Sequence, residues 1–301
     1  MRGSGEALPP GNIPGAVAAS HQLVRTFHST CMISDYQATV SVLARVTGLR
    51  VLEFSESEYI GRRGGMTWIG DNSIEVAQPV VAGHAAQRFL HSFGPGMHSY
   101  ALQVQDLDAT IAHLEASGVK VGVRPAPSFC FTDPRTTGGL MFEWSDSTVV
   151  EDPRVGAPMP PYDVEPLLEV QTHAFVGAVV PDPLAWADKC GDMFGLTEAF
   201  RTPNADPGEP AVGLAAPDCI LALYALPGEE SLGLWGREHP RARCHVLGLG
   251  VPSLDDAESK LSGAGIGVVR RTDTSIVVDP SGTGEVPLVL VEQLLPGDPR
   301  A

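Results

Sequence analysis

Two glutamates in this 301-residue chain stand where a carboxylate is costly. Glu75 lies between Ile74 and Val76, and Glu143 between Phe142 and Trp144. Both stretches read as strands, and a carboxylate turned inward from such a strand needs a cation or hydrogen-bond donors. His28 sits in a third strand-like run, Phe27 to Ile33. The plainer alternative is a histidine satisfied in the core or at a rim, with both glutamates facing solvent on alternating strands. A basic pair, Arg62 and Arg63, stands at the mouth of another strand, where it could receive a carboxylate or phosphate or simply be an exposed loop pair.

What must position these residues is a block repeated four times. The clearest copies run from Val104 to Val121 and from Val251 to Val268, and two more begin at Ile33 and Val180. Each reads as strand, capped helix, glycine stop and strand. In unit one (28–79) a helix from Tyr36 to Thr47 carries Thr39, Val42, Leu43 and Val46 on one face and ends at Gly48. Strands follow at 51–54, 65–69 and 73–77, with Gly70-Asp71-Asn72 as a hairpin turn between the last two. Unit two (98–144) has Asp106 as N-cap and Leu107, Ile111 and Leu114 as its helical stripe.

A stretch containing Pro153, Pro158, Pro160 and Pro161 separates this pair from units three (170–226) and four (245–293). The separations Asp35 to Asp182 and Gly48 to Gly195 are both 147 residues, so the halves align almost without gaps. The reading is an α+β fold of four βαβββ units in two tandem modules with curved mixed sheets. Residues 1–24 form a flexible lead, 25–148 the first module, 149–167 the linker, 168–295 the second module and 296–301 a tail.

Composition limits the partners. Lys+Arg 20 against Asp+Glu 36 gives a net charge of −16, a field that repels phosphate backbones and argues against nucleic acid. Hydrophobic residues at 43% and charged residues at 19% are ordinary for a globular chain. No apolar run reaches the ~18 residues that a membrane span needs. Five cysteines without C-x-x-C spacing suit buried free thiols in a reducing, cytoplasmic setting.

The unit order, together with Gly96-Met-His-Ser-Tyr-Ala-Leu-Gln-Val-Gln-Asp-Leu-Asp-Ala109 and Asp133-Pro-Arg-Thr-Thr-Gly-Gly-Leu-Met-Phe-Glu143, resembles the vicinal oxygen chelate (glyoxalase) superfamily. Residues 25–148 are most similar to its methylmalonyl-CoA epimerases. The resemblance implies four side chains in a cupped sheet, one from the first and one from the last strand of each unit. It assigns His28, Glu75 and Glu143 to three positions. By count the fourth falls on Ser99, with His98 one residue early. Strand alternation turns His98 away unless a bulge re-aims it, and Gly94-Pro95-Gly96 makes a bulge plausible.

Two ligand sets therefore stay open: His28, Glu75 and Glu143 completed by Ser99 or water, or the same three with His98. Either suits a divalent Co, Mn, Fe, Ni, Mg or Zn ion. In the second half the matching positions are Phe175, Val246 and Val289 or a neighbour, and Cys219 to Tyr224 holds no carboxylate. That module reads as degenerate, with His173 and His245 structural.

The resemblance implies a metal-assisted isomerase, epimerase or lyase that acts through an enolate on a small acyl substrate, an acyl-CoA among them. The epimerases' additional carboxylate, on the strand before Glu75, has no counterpart in Gly64 to Ile69. Glu75, Glu143 and His98 are then the catalytic candidates, with Arg62, Arg63, Trp68, Ser99 and Trp144 as substrate contacts. Two alternatives stand beside this. One is an extradiol-type Fe(II) dioxygenase using His28, His98 and Glu143. The other is a non-catalytic binding or resistance protein whose tryptophans (Trp68, Trp144, Trp186, Trp235) include two beside the cup. The expected partner is a small molecule, and a homodimer stays open.

Overall fold

The computed structural model describes residues 21–48, 50–54, 61–70, 72–158, 164–206, 208–226 and 242–301. Met1–Ser20, Asp71 of the hairpin turn, Pro160 and Pro161 of the linker, and Trp235 lie outside the described residues.

The first half runs β1 (Leu23–Met32), α1 (Tyr36–Thr47), β2 (Leu52–Glu53), β3 (Arg62–Ile69), β4 (Asn72–Pro79), α2 (Ala85–Phe93) and β5 (Gly96–Val104). It continues with α3 (Leu107–Ala116), β6 (Val121–Ala126), β7 (Phe129–Thr132) and β8 (Phe142–Ser145). The second half repeats this as β9 (Thr172–Val180), α4 (Pro183–Cys190), β10 (Thr197–Arg201), β11 (Val212–Ala216) and β12 (Cys219–Ala225). Then come β13 (Arg243–Gly250), α5 (Leu254–Gly263), β14 (Val268–Arg271), β15 (Ser275–Val278) and β16 (Leu288–Val291). Each half makes one mixed sheet of eight strands, ordered β2-β3-β4-β1-β5-β8-β7-β6 and β10-β11-β12-β9-β13-β16-β15-β14. The first strands of the two units, β1 and β5, lie antiparallel at the centre of the first sheet, and each is flanked by the last strand of its own unit in parallel. This is the α+β, two-module architecture expected from the repeats.

The helices form where the sequence places caps. Asp35, Asp106 and Asp182 each accept a backbone N–H of the following first turn, and Gly48 closes α1 at φ 72°. Helix α2 is an addition to the repeat that periodicity did not reveal. It starts at His84, whose ring accepts from Ala86 N–H. Among the described residues no helix is long and apolar enough to cross a membrane. All five cysteines are buried, and none forms a disulfide among the described residues.

One continuous core joins the modules. Tyr100, Leu102, Phe142 and Trp144 of the first sheet pack with Trp186, Phe194, Leu247 and Leu249 of the second half. The Phe142 and Phe194 rings lie 4.7 Å apart, and the Trp186 indole N–H donates to Thr137 O at 3.0 Å. The faces turned away from this core are the two concave cups.

His173 on β9 is buried, and neither ring nitrogen has a hydrogen-bond partner among the described residues. Burial, followed by the Arg300 and Arg154 guanidiniums, pushes it down to about 3. An unfolded chain titrates this group near its ordinary 6.5, so below that pH the unfolded state gains a proton that the folded state refuses. Stability must therefore fall as pH drops from about 6.5 towards 3. In denaturant titrations across pH ~6.5 to ~4, H173Q should lose stability less steeply than wild type, by up to ~1.4 kcal/mol per pH unit. Identical slopes would contradict the assignment.

Candidate metal centre

Register brings the candidate side chains to one face. On β1 and β4, Thr30 pairs with Glu75. Across β1 and β5, His28 pairs with Ala101 and Thr30 with Ser99, and across β5 and β8, Ala101 pairs with Glu143. Paired residues share a face, as do residues two apart on a strand. His28, Thr30, Glu75, Ser99 and Glu143 consequently all belong to the concave face, although 115 residues (143 − 28) separate the ends of the set.

There, one nitrogen faces two carboxylates. His28 Nε2 is 3.2 Å from Glu75 Oε2 and 3.4 Å from Glu143 Oε2. Potential ligand atoms of His28, Glu75 and Glu143 lie within 4.8 Å of one another, and all three residues are buried. Arg62 approaches Glu75 at 3.0 Å, and the Thr30 hydroxyl donates to Glu75 at 3.1 Å. Glu75 thus has other donors, but Glu143 Oε2 and both His28 ring nitrogens are buried without a hydrogen bond of proper geometry.

The electrostatics follow. Burial alone would depress the His28 imidazolium, but Glu143 and then Glu75 outweigh it and lift the group to about 9. Burial would raise the Glu75 carboxyl. Arg62, with His28 and the Thr30 hydroxyl, overrides this and holds it down at about 2. The pocket thus demands positive charge beside Glu143. The pair of carboxylates and one imidazole fits a divalent cation, which would take the place of the His28 proton.

The fourth position shows why a one-residue offset matters. Ser99 pairs with Thr30 while Met97 pairs with Cys31, so the ladder skips His98 and the strand bulges there. The bulge swings the imidazole into a half-buried position between Phe89 of α2 (ring centroids 4.7 Å) and Phe131 of β7 (6.0 Å). Phe131 pairs with Glu143 and so marks the concave side. His98 therefore borders the cup but does not join the three-residue ligand cluster. Its Nδ1 bonds to the Ser99 hydroxyl at 3.0 Å. Burial, then Arg62, lowers it to about 3, which leaves the ring neutral.

The proposed substrate contacts divide between faces. Arg62 reaches Glu75, but Arg63 turns to the opposite side, pairing with Glu53 and lying 4.6 Å over the Tyr36 ring. The two arginines are not one anion clamp, because adjacent strand residues point apart. Trp68 shares the Glu75 face through the Trp68–Ser73 and Met66–Glu75 pairs, and its indole N–H is buried without a partner. Trp144 is a correction. It follows Glu143 directly and therefore faces the core between the modules, fully buried near Phe142 and Phe194. It cannot stack a ligand in the cup.

A residue unnoticed in the sequence fixes the backbone at His28. Arg154 donates to Thr26 O at 2.9 Å and to Phe27 O at 2.8 Å, while Asp152 grips its guanidinium from behind at 2.8 Å. Phe27 O also accepts from the Ser73 hydroxyl at 2.6 Å, so the clip ties together the strands that bear His28 and Glu75. The β1 ladder is irregular between Thr26 and His28, and the clip takes up the carbonyls freed there. Its signal was present: Asp-Pro-Arg recurs at 298–300, where Arg300 donates to His173 O and Ala174 O at 3.0 Å each. The segment between the modules is thus more than a tether.

Comparison with known proteins finds a family match over the first half and a structural match over both halves. Residues 25–143 match the model of the Glyoxalase/Bleomycin resistance protein/Dioxygenase superfamily. No curated protein sequence matches the chain. Methylmalonyl-CoA epimerase from Mycobacterium tuberculosis is 20% identical, with a TM-score of 0.40 over 44% of this chain and 94% of that one. A variant of Streptomyces coelicolor methylmalonyl-CoA epimerase, in complex with 2-nitronate-propionyl-CoA, is 26% identical, with a TM-score of 0.41 over 44% of this chain and all of that one. A mutant 4-hydroxymandelate synthase from Streptomyces coelicolor follows both modules, covering 91% of this chain and 95% of that one at a TM-score of 0.64 and 13% identity. The family match thus covers the first half of the chain, and the second half repeats the strand order of the first.

Proposed function

We propose that the first cup binds a divalent cation through His28, Glu75 and Glu143 and serves a metal-assisted isomerase, epimerase or lyase acting on a small acyl substrate through an enolate. The observation that supports this most is the pair of buried carboxylates aimed at one imidazole, with Glu143 Oε2 and both ring nitrogens lacking hydrogen bonds. A bound divalent ion would supply Lewis-acid stabilisation to an enolate oxygen. The protein's own groups divide the remaining work. Arg62 and Thr30 hold Glu75 ionised and oriented. Ser99 orients the His98 ring through Nδ1, leaving Nε2 to take a proton at the cup's border. With Glu75 committed to Arg62 and to the ligand set, the neutral His98 is the remaining candidate base, and its lowered proton affinity makes it a weak one. Helix α2 closes one side of the cup: Phe89 packs on His98, and Ala86 packs with the concave-face residues Met32 and Ala77. Water exclusion there strengthens each charge interaction. An acyl-CoA substrate is suggested by the 2-nitronate-propionyl-CoA complex of the Streptomyces coelicolor epimerase.

The experiment is solvent deuterium exchange at the α-carbon of a short acyl-CoA thioester, followed by NMR with Mn, Co or Mg supplied. Wild type should exchange, and E143Q and H98Q should each slow exchange by about 10²-fold or more. A wild type that exchanges no faster than buffer with any of these ions would end the reading.

The duplicated clip provides an internal control for the site. R154K and R300K keep the charge but lose the planar fork, and each should cost about 1–3 kcal/mol of stability in denaturant titrations. Only R154K should also weaken Mn(II) binding, by about 10–100-fold in calorimetry, because only it holds the strand bearing His28. Equal affinities in the two variants would show that the clip does not position the site.

A further inference from the structure

The second module has lost its polar set without filling the space. At register positions matching His28, Ser99 and Glu143 stand Phe175, Val246 and Val289: Gly248 pairs with both Phe175 and Val289, and Val246 pairs with Gly177. A cavity of about 600 Å³ opens on this concave face. That volume suits a drug-sized ligand.

Its floor is aromatic, and glycines make room for the rings. A Cβ at Gly248 would meet the Phe175 ring at 2.2 Å, and one at Gly213 would meet the Phe200 ring at 2.1 Å. Glycine at these two positions lets both rings lie against the sheet. Two polar groups face the same space. Tyr224 and His245 are each more than nine-tenths buried, line the cavity and make no hydrogen bond among the described residues. His245 repeats the bulge of His98, since the β13 ladder skips it between Cys244 and Val246. Burial, then Arg243, lowers it to about 3, so it offers a neutral ring that can accept or donate.

The mouth decides the charge of the occupant. Asp206, Glu209, Asp273 and Glu292 line the cavity against one cation, Arg270, which Glu209 engages at 2.7 Å. This excess of acid disfavours an anion such as a coenzyme A ester.

We propose that the concave face of the second module is a metal-free binding site for a neutral or cationic aromatic small molecule, stacked on Phe175 and Phe200 and hydrogen-bonded to Tyr224 or His245. The site is independent of the first cup and stands whether or not a cation binds there.

Two dyes with the same ring system separate the outcomes: N-phenyl-1-naphthylamine is neutral, and 8-anilino-1-naphthalenesulfonate adds an anion. The neutral dye should saturate at one per chain with enhanced fluorescence, and the sulfonate should bind at least about tenfold more weakly. V246W and V289F fill the cavity from two different strands. Each variant that retains cooperative thermal unfolding should lose the neutral dye. No saturable binding of the neutral dye to wild type, or undiminished binding in a folded filling variant, would overturn the site. Equal affinity for the sulfonate would overturn its charge preference.

Discussion

Two carboxylates removed from water within reach of one imidazole nitrogen form the constraint on which the first module depends. Glu75 and Glu143 are each less than 5% exposed. An ionised carboxylate in such surroundings persists only with a compensating charge or donors. Glu75 obtains both from Arg62 and Thr30. Glu143 has His28, and His28 must then carry a proton or give way to a cation. The central pairing of β1 with β5, the bulges on both strands and the Arg154 clip all fix the backbone that carries His28 to the two carboxylates.

The second module shows what the same scaffold becomes when that constraint is lifted. Its strand order repeats the first, and its Asp-Pro-Arg clip grips the equivalent carbonyls. The bulge histidine is also repeated. The chelating positions are not: Phe175, Ala222, Val246 and Val289 make an apolar lining in their place. Scaffold features shared by both halves therefore belong to the fold, and features confined to the first are the ones the proposed chemistry uses. By that criterion, His28, Glu75 and Glu143 are distinctive, whereas the bulge at His98 is inherited architecture to which the first module adds Ser99 and Arg62.

Much of this was legible in the sequence because strand alternation is strict. The repeat spacing revealed the order of strands and helices in each unit, and apolar neighbours on either side of Glu75 and Glu143 indicated inward carboxylates. Counting from Val104 placed Ser99 on the concave face, where it pairs with Thr30. The orientation of His98 was not legible, since a bulge breaks the parity on which such counting relies. Trp144 lies in the core and not beside the cup, because the same parity that turns Glu143 inward turns its neighbour outward. Helix α2 escaped because its apolar stripe is short and its cap is a histidine. The Arg154 clip was hidden in a proline-rich stretch whose composition suggested only a linker.

The central claim is that His28, Glu75 and Glu143 form one cation site. Crystals grown with Mn(II) and measured for anomalous scattering test it most directly. The account predicts one strong peak per chain, bonded to the His28 imidazole and both carboxylates, and none in the second cup. A map without that peak, with His28 still held between the two glutamates at millimolar Mn(II), would contradict it.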